Sequence, residues 1–102
     1  MQAPQGAPRK LNIEIPDTVA DGVYANLVLI AHNQSEIVFD FARIMPNTPK
    51  TKIQSRIVMN PFNAKRLMLT LKDNIEKFEK QFGEIKLDEK SKSKEIGFSM
   101  DE

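Results

Sequence analysis

The chain has 102 residues, a net charge of +1, 28% charged residues and no cysteine. That length holds one domain with a thin core, since a chain with about 75–80 ordered residues buries only roughly 60–65% of its unfolded surface. The missing cysteines exclude thiol chemistry, thiolate metal sites and disulfides, and no apolar run has the length of a membrane span or the position of a signal peptide, so the cytoplasm is the expected compartment.

Residues 1–10 hold two prolines and a glycine without apolar periodicity, and are predicted to be disordered. Leu11, Ile13 and Ile15 alternate with polar residues, the pattern of a short half-buried strand that Pro16 stops. Residues 16–22 (PDTVADG) read as a turn, tightest at Asp21-Gly22. Residues 23–32 form the most apolar run of the chain and read as a second strand.

A hairpin at Asn33-Gln34 leads into a third strand, residues 36–43. The expected register pairs Ile30 with Ile37 and Val28 with Phe39 on an apolar face. Leu29 with Val38 and Leu27 with Asp40 then share a mixed face that a second protomer would cover. Residues 44–51 (IMPNTPKT) are a loop, and residues 52–59 a fourth strand with Ile53, Ile57 and Met59 on one side.

Asn60 is a good helix N-cap and Pro61 suits the first helical position. Ala64, Leu67, Met68, Leu71, Ile75, Phe78 and Phe82 recur at three- and four-residue steps, and Gly83 marks the end. The expected fold is therefore α+β: an antiparallel four-strand meander packed against one long C-terminal helix, spanning residues 11–83. Residues 84–102 are a charged flexible tail, in which Ile96, Phe98 and Met100 alternate as a candidate docking motif. A helix of about 22 residues is roughly 33 Å long, against about 17–20 Å for a strand, so it should overhang the sheet. Its distal residues Ile75, Phe78 and Phe82 then need a cover, which points to a homodimer or higher oligomer, with Leu27 and Leu29 of the mixed sheet face as further interface candidates.

Charge is unevenly spread. Residues 43–72 carry Arg43, Lys50, Lys52, Arg56, Lys65, Arg66 and Lys72 and no acid, whereas both flanking segments are net acidic. Arg43, Lys52, Arg56, Lys65 and Arg66 are candidate contacts for an anion or a partner at the strand–helix corner, because helix N-termini favour anions. A solvated face explains the same residues and is preferred. A pI near 8.0 is low for a dedicated nucleic-acid domain.

Catalytic groups are sparse. His32 is the only histidine and lies at a turn, no glycine-rich phosphate loop exists, and Glu36 and Asp40 read as residues that keep a sheet face wet. An enzyme, a resident metal and a cofactor are all unsupported.

Three groups, Tyr24-Ala25-Asn26, Asp40-Phe41-Ala42-Arg43, and Arg56 with Asn60-Pro61 and Lys65-Arg66-Leu67, give the chain a recognisable pattern. In these it resembles a small bacterial and archaeal family of roughly 100-residue domains of unknown function, a likeness that brings no activity or site with it. The order of strands and helix is also similar, at fold level only, to an export chaperone family with a sheet and a long C-terminal helix. The expected role is a non-enzymatic interaction or assembly domain, acting as a homo-oligomer with a protein partner. Anion or nucleic-acid binding through the basic corner is the less favoured alternative.

Overall fold

Three strands rather than four form the sheet. In the computed structural model, which describes residues 11–88, the elements run α1 (Asp17–Ala20), β1 (Leu27–His32), β2 (Ile37–Ala42), β3 (Ile53–Met59) and α2 (Pro61–Phe82). The sheet is an antiparallel meander in the order β1-β2-β3, in which, among the described residues, both outer strands are open edges. The segment predicted as a first strand, residues 11–15, has no regular structure, and Leu11, Ile13 and Ile15 are exposed. Alternation marks a segment able to enter a sheet, but a strand also needs an edge to pair with, and here neither edge receives it. Expectations for residues 1–10 and for the tail from residue 89, including Ile96, Phe98 and Met100, lie outside the described residues.

The turn at residues 16–22 closes as a single helical turn. The Val19 and Ala20 amides donate to the Pro16 carbonyl at 2.9 and 3.0 Å, and Gly22 follows with φ +77°, a conformation that favours glycine.

Asn33 sets the register of the β1–β2 hairpin. Its Oδ1 accepts from the Ser35 and Glu36 amides at 2.8 and 2.9 Å, while its own amide donates to the Glu36 carbonyl at 3.0 Å. This side-chain-closed turn places residues 33–36 in the loop and pairs His32 with Ile37, Ile30 with Phe39, Val28 with Phe41, and Leu27 with Ala42. Each partner lies two residues from the expected one. Because side chains alternate with period two, a two-residue shift preserves the membership of both faces.

At the far end of the hairpin, Asn26 extends the ladder with its side chain. Its amide nitrogen donates to the Ile44 carbonyl at 3.2 Å and its Oδ1 accepts from the Ile44 amide at 2.7 Å. On the other side of β2, the register slips between Phe41 and Ala42, so that Ser55 faces Phe41 and Ile53 faces Ala42. Gln54 is the extra residue of a bulge, and the slip removes Ile53 from the Ile57–Met59 side on which simple alternation places it.

The long helix matches its sequence signals closely. Asn60 Oδ1 accepts from the Asn63 amide at 2.8 Å, Pro61 occupies the first turn, and Gly83 caps the end with φ +103°. Its docking differs from expectation. Among the described residues α2 packs substantially against no strand, and all of its stripe except Ala64 remains exposed. Only Asn60 separates β3 from α2, whereas strand–helix links that let a helix turn back onto a sheet usually take 2–6 residues.

Candidate functional site

The surface that distinguishes this chain is apolar rather than catalytic. Among the described residues only Ala42 and Ala64 form a buried hydrophobic core, and no large side chain is fully buried. Helical spacing collects Leu67, Met68, Leu71, Ile75, Phe78 and Phe82 on one side of α2, each between 40% and 66% exposed. Phe78 and Phe82, one turn apart, bring their ring centroids to 4.9 Å. The stripe carries no charge. Lys77 and Asp73 form an i,i+4 ion pair of 3.1 Å elsewhere on the helix.

The sheet offers two faces of different character. Register assembles Val28, Ile30, Ile37, Phe39, Phe41, Ile57 and Met59 on the first, where the Phe39 and Phe41 rings stack with centroids 6.5 Å apart. These side chains are half-buried, apart from Ile57, which is exposed. The second face holds the half-buried Leu27 and Leu29, and across its middle runs the row Leu29, Asp40, Arg56. Leu27 and Leu29 are thus on a different surface from Ile75, Phe78 and Phe82.

Asp40 and Arg56 face each other on β2 and β3 and form a bidentate pair: Nε to Oδ1 at 2.6 Å and Nη2 to Oδ2 at 2.8 Å. The Asp40 side chain is 14% exposed and that of Arg56 64%. Hydrogen bonding from the guanidinium holds the Asp40 carboxyl below its ordinary value of 3.8, with the Arg56 charge acting in the same direction and partial desolvation opposing it. Composition alone does not reveal this pair. The signal is an acid on β2 and a base on β3 with the same face parity, and it becomes visible only once the register is known.

The five basic candidates do not gather at one corner. Arg43 directly follows β2 and Lys52 directly precedes β3, at one end of the sheet. The Arg43 guanidinium lies 5.5 Å from the centre of the Tyr24 ring, a cation–π contact. Lys65 and Arg66 sit on α2 beyond the other end of β3, about 20 Å away along a seven-residue strand. There Arg66 Nη1 donates to Asn63 Oδ1 at 3.1 Å, and the two cations flank the exposed Phe62 and Leu69. Arg56, between the two ends, is engaged by Asp40.

His32 ends β1 as an exposed residue. Among the described residues no three histidine or carboxylate side chains come together in a way that could hold a metal ion, and no helix is long and apolar enough to cross a membrane.

Residues 1–87 match the model of a family described as a protein of unknown function, DUF3467, and the chain belongs to that family. No curated protein and no solved structure matches it.

Proposed function

We propose that this member of the DUF3467 family is a non-enzymatic assembly domain whose native state is a homo-oligomer, a homodimer at minimum. The observation that carries the reading is the two-alanine core. A folded domain offsets the loss of chain entropy, about 1–2 kcal/mol per residue, mainly by burying apolar side chains. Here, among the described residues, the side chains able to do so lie on the exposed α2 stripe and on two half-buried sheet faces. Small chains that cannot complete a core alone commonly complete it by oligomerisation. Contiguous apolar surface of this extent marks an interface. A protein partner that joins the oligomer would meet what self-association leaves uncovered, and the basic residues at the two ends of the sheet are candidate contacts for it.

Multi-angle light scattering across a range of protein concentrations tests the reading. The expected result is a particle of at least twice the 11.6 kDa chain mass. A folded particle of single-chain mass at every concentration would remove it.

A further inference from the structure

We infer that the dimer is built by helix exchange: the α2 stripe of one copy lies on the Phe39–Phe41 face of the sheet of a second copy, and the reverse. This deepens the self-association reading and rests on it.

Among the described residues the stripe is exposed and the first sheet face half-buried, both are uncharged, and α2 makes no substantial contact with any strand of its own chain. The corner between them is short. It is the single residue Asn60, with φ −74° and ψ 164°. That conformation is held from both sides. Asn60 precedes Pro61, which disfavours the helical region for it. Its side chain and its carbonyl are also tied into α2, accepting from the Asn63 amide at 2.8 Å and the Ala64 amide at 3.0 Å. These bonds leave the corner little freedom to adjust. Short, stiff hinges of this kind favour exchange between copies over closure within one.

The choice of face follows from charge. The second face carries the Asp40–Arg56 pair at its centre, with Asp40 only 14% exposed, and covering it would desolvate Arg56. The first face has no ionised group in its middle rows. Size fits as well: from Ala64 to Phe82 the stripe runs about 27 Å, enough to cross strands of about 20 Å. Reciprocal docking about a two-fold axis covers both stripes and both first faces and then closes, leaving no apolar stripe to propagate a fibre.

The test is isotope-filtered NMR on the full chain, with carbon-13-labelled and unlabelled copies unfolded and refolded together. The expected result is cross-peaks between Leu71 and Ile75 methyls of labelled chains and Phe39 and Phe41 rings of unlabelled chains. A dimer that shows these contacts only within one chain, or shows only α2–α2 contacts between chains, would overturn the exchange and leave self-association standing. A monomer would overturn both.

Discussion

Asp40 and Arg56 sit at the middle of a sheet face where a lone carboxylate beside Leu29 would be poorly solvated. The two parallel hydrogen bonds from Arg56 favour the ionised carboxylate. Because the folded-state pKa of Asp40 is lowered below 3.8, the pair's contribution is present at pH values above the unfolded value and is lost as the pH falls through the folded one. The chain should therefore lose part of its stability on acidification below about pH 4. The variant Asp40→Asn should lose less between pH 7 and pH 3, measured as the change in urea midpoint, while starting from a lower midpoint at pH 7. Equal changes in the two proteins would show that the pair does not govern acid sensitivity. Asn60 acts through a different bond. Replacing it with alanine removes the acceptor for the Asn63 amide and should destabilise α2 by about 1 kcal/mol in urea titrations followed by far-ultraviolet circular dichroism.

At the scale of elements, what the chain spells out is what its near neighbours decide. The cap, the first-turn proline, the three- and four-residue spacing and the closing glycine all act within α2, so the helix is readable from Pro61 to Phe82. Register was not readable, because it depends on Asn33 folding its side chain onto the Ser35 and Glu36 amides rather than on strand pattern. The bulge at Gln54 and the unpaired segment at residues 11–15 belong to the same class, as both depend on what another strand does. For α2 the two sides of the helix give a direct comparison. Phe78→Asp places a charge in the stripe and, on the proposed self-association, should give a largely unfolded or single-chain species by light scattering and circular dichroism. Phe62→Ser removes a side chain that is 75% exposed and lies on the opposite side by helical spacing, and should leave particle mass unchanged. If both variants retain the parental mass, the stripe is not the interface.

For the whole molecule, the sequence indicates the amount of apolar material and not where it goes. Helical and strand periodicities forecast an amphipathic helix and an apolar sheet face, and it is natural to place one on the other. Among the described residues α2 makes no substantial contact with the sheet, and the two are joined by the single residue Asn60. The basic block behaves similarly. Seven cations without an acid between residues 43 and 72 look like one patch along the sequence. The length of β3 then places Arg43 and Lys52 at one end of the sheet and Lys65 and Arg66 beyond the other, and Asp40 engages Arg56. The largest feature among the described residues is the apolar surface formed by the α2 stripe and the sheet faces.

The central claim, that the native core is completed between copies, makes unfolding depend on protein concentration. For a dimer that dissociates as it unfolds, a hundredfold rise in concentration adds about 2.7 kcal/mol of apparent stability. With a urea dependence of a few kcal/mol per molar, the midpoint should move up by about 1 M. Urea unfolding followed by circular dichroism at roughly micromolar and at a hundredfold higher chain concentration is the measurement. The account predicts that upward shift, and a midpoint that stays fixed, with the chain folded at both concentrations, would contradict it.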